Sequence, residues 1–220
     1  MLKRFFFPLI ESFLRNISGG LGRKLRYYYY RTRLGACGKN VFIDIGVIFN
    51  NPELIFIGSN VWIDNYAILV AGRLENTGNI HKKLNEAYLF GEGELHLSGG
   101  NHIAPFTLLQ AHGGISIGKN VTIAAGSKVY SFSHHYRNID NPSDKTEYHF
   151  SSMAENKNQY FISSPVIIGD GAAVGLNSVV LAGTHIPSGT WIGVNSSVVG
   201  QAFKPNSVYA SPSAVFIKEK

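Results

Sequence analysis

Between Val166 and Val199 a β-branched aliphatic residue returns at every sixth position: Ile168, Val174, Val180, Ile186, Ile192 and Val198. The gaps are filled by small or turn-forming residues such as Gly169, Asp170, Gly171, Asn177, Gly183, Pro187, Gly189 and Asn195. An α-helix spaces its apolar residues by three and four, and a half-buried strand alternates by two. A period of six over this length matches neither. It matches a coil of short parallel strands, each sending one side chain inward onto the rung below. Each corner of such a coil needs a tight turn, which Gly and Asn make at positive φ.

The same period appears earlier. Ile43 and Phe49 start it, and Ile57, Ile63 and Leu69 continue it in a new phase. Leu97, Ile103, Leu109 and Ile115, then Ile117, Ile123 and Val129, carry it on. Ile57-Gly58-Ser59-Asn60-Val61 repeats the wording of Ile117-Gly118-Lys119-Asn120-Val121. Two polar stretches interrupt the pattern and read as loop excursions, 72–94 and 135–164. The expected organisation is an N-terminal cap over 1–36, one β-helical domain over 37–203 and a tail over 204–220 that leaves the coil at Pro205. Stacked strands leave open ends that need covering, and the N-terminal segment and the tail are placed to do it. In the cap, the pattern predicts a helix starting at Pro8 and ended by Gly19 and Gly20, then a second segment from Leu21 to Leu34.

A content of 45% hydrophobic and 15% charged residues excludes a disordered chain. The one cysteine, Cys37, has no internal partner for a disulfide, as expected in a reducing compartment. No stretch reaches the roughly 18 apolar residues of a membrane span, and the apolar run Phe5 to Ile10 stops at Glu11 without a cleavage site. The expectation is a cytoplasmic protein. A formal charge of +6 fits a polyanionic partner such as nucleic acid, an anionic membrane or a phosphorylated cofactor. Met1 to Leu34 holds a single acid, Glu11, and a Tyr27–Tyr30 run among Arg and Lys residues. That mixture reads first as a helical cap packed on the first coil or on a neighbouring subunit, and also suits peripheral contact with the inner membrane.

The hexapeptide pattern resembles the left-handed β-helix acyltransferases, and within them the sugar O-acetyltransferases of O-antigen and capsule modification. Gly38-Lys39-Asn40-Val41, Ile117 to His134, Pro165 to Leu181 and Pro205 to Lys218 carry the resemblance, which spans roughly 38–220. It implies an all-β, left-handed parallel β-helix with a short helical N-terminus and two loop excursions. The left hand rests on the resemblance alone, since ordinary parallel crossovers are right-handed. A homotrimer with active sites between subunits is implied in the same way.

The resemblance makes His134, at the point where the chain departs into the second excursion, the general base. A neutral hydroxyl is a poor nucleophile, and a placed imidazole that takes its proton contributes about 10²–10⁴-fold. His135 is the neighbouring alternative, its side chain pointing the other way along an extended segment. Asp140, Asp144 and Glu155 are candidates to orient the base. The expected donor is acetyl-CoA, contacting Leu176 and Val194, with Lys204 and Lys218 placed for its phosphates. No metal and no nucleic acid are expected. Two positions depart from the family: Ala104 stands where some members carry an asparagine, with Asn101 and His102 out of register, and Val199-Gly200 replaces a Thr-Lys pair. His96, His102, His112 and His185 read as surface, corner or interface residues.

The function expected is O-acetylation of a surface-polysaccharide sugar or its precursor. N-acetylation of a nucleotide-linked amino sugar is the rival within the enzyme class. Outside it stand a zinc enzyme with histidines converging between subunits and a non-enzymatic β-helical scaffold.

Overall fold

In the computed structural model, the described residues are 2–74, 79–82, 90–200 and 202–210, the side chains of 2–6 and 81–82 excepted. The strands of the coil form three parallel sheets, with six, seven and six strands among the described residues. The first runs from Ala36–Cys37 to His185–Ile186, the second from Val41–Ile43 to Val208–Tyr209, the third from Ile48–Asn50 to Ser197–Val198. The inward residues stack rung on rung. Ile63, Ile103, Ile123, Val174 and Ile192 form one column in the second sheet. Leu69, Leu109, Val129, Val180 and Val198 form one in the third. The residues of both columns are all 3% exposed or less.

The coils are not all the same length. Val174 pairs with Ile192, eighteen residues on, as three hexapeptides require. Val61 pairs with Val41 and Thr122 with His102, intervals of twenty. The two extra residues lie in the first sheet, whose earlier strands each turn two side chains inward: Ile55 with Ile57, Leu95 with Leu97, Ile115 with Ile117. This is the physical origin of the phase change after Phe49.

Asn40, Asn60 and Asn120 hold φ near +60° at equivalent corners, the left-handed turn that Asn tolerates. Tyr66 and Phe106 adopt it too, at φ 59° and 60°, with their rings stacked at 5.5 Å on the outside of another corner. The rung below has Gly46, where a Cβ would sit 2.2 Å from the Tyr66 ring.

Two helices cover the first coil. α1 spans Leu2–Arg15 and α2 spans Gly19–Tyr30. Pro8 therefore sits inside α1 rather than starting it, removing one backbone donor without ending the helix. Gly19 and Gly20 open α2 instead of closing α1. The cap is fastened by its arginines. Arg26, 1% exposed, donates to the Ile43 carbonyl at 2.8 Å and to the Leu14 and Ile17 carbonyls at 2.8 and 2.7 Å. It thus satisfies a carbonyl in the last turn of α1 and one just past the end of that helix. Arg23 pairs with Asp44, which also accepts from Trp62 Nε1 at 2.8 Å. Tyr30 packs on Phe49 at the open end of the third sheet, ring centres 4.6 Å apart.

At the other end the coil passes the boundary expected at 203. Pro205 does not end it, because Val208–Tyr209 pairs with Trp191 and Ile192 as a further strand. The remainder of the tail, 211–220, lies outside the described residues.

Candidate active site

The third sheet's strand Lys128–Tyr130 is followed by Ser131, whose buried hydroxyl donates to the Gln110 carbonyl at 2.9 Å and accepts from the Gly113 amide at 2.9 Å. The chain then leaves the coil as the strand Phe132–His134. The excursions expected to be loops meet in a sheet. Phe132–His134 pairs antiparallel with Tyr160–Ser163 from the end of the second excursion, and Tyr160–Ser163 pairs in parallel with Asn79–Lys82 from the first. Parts of the first excursion, 75–78 and 83–89, lie outside the described residues.

His134 is half-buried at the tip of this protruding sheet, opposite Phe161, whose ring lies 4.6 Å away. Its Nε2 is 3.0 Å from Oε1 of Gln159. Gln159 is 2% exposed, and its Nε2 donates to the Ala154 carbonyl. The amide nitrogen is thereby committed, so the oxygen faces the imidazole and His134 Nε2–H donates to it. Nδ1 is left as the nitrogen able to take a proton. Asn79 Nδ2 donates to the backbone carbonyls of Lys157 and Gln159, at 3.2 and 3.3 Å, tying the first excursion to the segment that holds His134.

The acids expected to orient His134 do other work. Asp140 accepts from the Tyr160 hydroxyl at 2.8 Å. Asp144 accepts from Thr146, Asn138 and Tyr148, and these hydrogen bonds pull its carboxyl down to about 2. Glu155 pairs with Lys157 at 2.7 Å, both well exposed. The partner is an amide, which reasoning from charged residues passes over; the Tyr160-Phe161-Ile162 run beside it was the available strand signal. His135 is engaged elsewhere, its Nδ1 accepting from the Arg137 N–H at 3.2 Å.

Leu176 and Val194, 49% and 55% exposed, stack on successive coils at the corner between the second and third sheets, where the Asn195 amide donates to the Leu176 carbonyl at 2.8 Å. His134 emerges at the corner between the third and first. One chain therefore does not bring them together: the third sheet lies between. Lys204 is exposed beside the last coil, its amide donating to the Tyr209 hydroxyl at 2.9 Å. Lys218 lies outside the described residues. Ala104 is buried, and Asn101 serves the coil, its Oδ1 accepting from the Gly99 amide and its Nδ2 donating to the Gly118 carbonyl. His102 stacks on Trp62 and lies 3.4 Å from Asp64, His96 stacks on Phe56 and pairs with Glu94, and His185 is exposed. His112 packs beside Phe132, with burial holding it below the ordinary histidine range. No group of three or more His, Cys, Asp or Glu among the described residues is arranged to hold a metal.

No protein-family model matches the chain, and no curated protein matches its sequence. Solved structures do match. A variant of AntD, an N-acyltransferase from Bacillus cereus, in complex with dTDP and coenzyme A, superposes with a TM-score of 0.66 at 20% identity, covering 84% of this chain and 83% of that one. A second AntD variant, bound to dTDP-4-amino-4,6-dideoxyglucose and coenzyme A, gives 0.62 at 20% identity over 84% of each chain. A hexapeptide-repeat acetyltransferase from Vibrio cholerae gives 0.52 at 15% identity, over 93% of this chain and 82% of that one. The coil is a left-handed parallel β-helix. Its hand is the one the family resemblance implied, against the rule for ordinary crossovers. The solved relatives in fold are acyltransferases, several of them bound to coenzyme A or an acyl-CoA.

Proposed function

We propose that the protein is an acetyl-CoA-dependent acetyltransferase that modifies a sugar hydroxyl of a surface polysaccharide or its precursor. The observation that carries this reading is His134, delivered by a strand leaving the coil and oriented by a buried amide. Nδ1 takes the proton of the acceptor hydroxyl as the oxygen attacks the thioester carbonyl, and the departing thiolate collects that proton. Acetyl-CoA lies along the exposed edge made by Leu176 and Val194, with Lys204 near its phosphates.

Because those residues and His134 occupy different corners, the site closes only when a second copy sets its corner against this protrusion. Our reading is a homotrimer working in the cytoplasm; the resemblance and the separation of the two corners support the trimer. The test is release of coenzyme A thiol from acetyl-CoA in the presence of nucleotide sugars. Turnover that His134→Ala abolishes supports the reading, and turnover that survives in that variant sinks it.

A second reading has support from the AntD variant whose complex holds dTDP-4-amino-4,6-dideoxyglucose. It is N-acetylation of a nucleotide-linked amino sugar. Paired acceptors that differ only in a hydroxyl or an amine at one carbon distinguish the two by product mass and lability to mild base.

A further inference from the structure

Residues 1–36 carry eight of the chain's twenty Lys and Arg and one of its fourteen Asp and Glu, a balance of +7. The remaining 184 residues balance at −1. The positive charge of the molecule is therefore the charge of its cap. Part of it is used internally, through Arg23 on Asp44 and Arg26 on backbone carbonyls. Lys24 and Arg31 face solvent instead.

The cap's apolar residues are distributed in an equally uneven way. One side of the two helices faces inward, through Tyr30 on Phe49, Tyr29 on Glu11 and Arg26 on Ile43. The outer side of a covering helix is ordinarily polar. Here α2 exposes Leu21, Lys24, Leu25 and Tyr28, spaced as one helical face, and Arg31 at its C-cap continues that face. α1 exposes Leu9, Ile10 and Phe13, with Leu9 at 69% and Phe13 at 71%. Among the described residues no helix is long and apolar enough to cross a membrane.

We propose that this cap docks on the surface of an anionic lipid bilayer. Leu9, Phe13, Leu21 and Leu25 enter the headgroup boundary, while Lys24 and Arg31 meet the anionic headgroups. Charge complementarity chooses this occupant over a second copy of the chain. Cap against cap sets +7 on +7, and the rest of the chain, at −1, offers no compensating field. The docking is independent of the acyl-transfer reading and is scored without any acceptor sugar.

The experiment is co-sedimentation of the full chain with vesicles of phosphatidylcholine alone or of phosphatidylcholine with phosphatidylglycerol. Binding is expected to the anionic vesicles only, and to weaken as salt is added. Lys24→Glu with Arg31→Glu is expected to lower partitioning by at least about fivefold for each charge. Leu9→Ser with Phe13→Ser is expected to lower it about tenfold or more. Melting temperature and light-scattering mass are expected to stay the same in both. Equal binding to neutral vesicles, or unchanged partitioning in both variants, overturns the proposal. So does a fall in oligomer mass in the Leu9→Ser, Phe13→Ser protein, which would mean that another copy covers this face.

Discussion

Ile186 and Phe161 are both apolar residues in short strands, but they find their partners differently. Ile186 pairs with Ile168, one coil back, and its environment repeats at every rung. Phe161 pairs with His134 on one side and with Ile80, from the other excursion, on the other. Each rung of the coil is held by local closure onto the rung before it. The protruding sheet is held by contacts such as Asn79 to Gln159, 80 residues apart. The difference teaches where each kind of damage should appear: in the coil as lost stability, in the protrusion as lost chemistry.

The sharpest test of that division is His134→Ala. Turnover is expected to fall about 10²–10⁴-fold with the melting temperature unchanged, while His135→Ala retains most activity. A large drop in melting temperature for His134→Ala would break the comparison. The converse is Ile123→Ala, fully buried between Ile103 and Val174. It is expected to cost about 2–5 kcal/mol in denaturant unfolding, with KM unaltered in the folded fraction.

Gln159→Leu sharpens the picture inside the protrusion. Without the amide oxygen the His134 tautomer is no longer selected, and kcat is expected to drop roughly ten- to a hundredfold. If Glu155→Gln or Asp140→Asn has the larger effect, an acid rather than the amide orients the base. Gly46→Ala tests a corner: at φ +77°, with its new Cβ against the Tyr66 ring, it is expected to cost about 1–2 kcal/mol without touching turnover.

The smallest effect concerns pH. His112 is half-buried, and burial lowers its pKa from the ordinary 6.5. The unfolded chain therefore takes up the proton first as the solution is acidified. The contribution of neutral His112 is complete above pH 6.5 and is lost as pH falls through that value toward the folded pKa. His112→Phe is expected to flatten the acid side of the stability profile over that window, measured by denaturant midpoints at each pH.

Much of this molecule is legible in its sequence. The columns through Ile123 and Val180 follow from the period of six; the second excursion, expected from 135, already begins with the strand Phe132–His134. The twenty-residue coils were visible only as a change of phase, because the period does not say which of three sides lengthens. Pro8 was read as a helix start because local rules reward it there; tertiary packing of α1 on α2 carries the helix through it. Pro205 was read as the end of the coil, yet the exposed edge of Trp191–Ile192 still had a strand to accept. The contact of Gln159 with His134 is not legible in the sequence for a physical reason: acids announce themselves by charge, whereas a buried amide is recognised only by the two groups it joins.

The amino-acid sequence by itself determined the stacked coil, because each inward side chain answers to neighbours at a constant interval and the interval can be read directly. It also determined that the positive charge lies at one end. Only the tertiary structure decided that the two excursions share a sheet, that Gln159 rather than Asp140 or Glu155 meets His134, and that Leu176 and Val194 stand at another corner. Those facts depend on segments far apart in the chain meeting in space, and no periodicity encodes such a meeting.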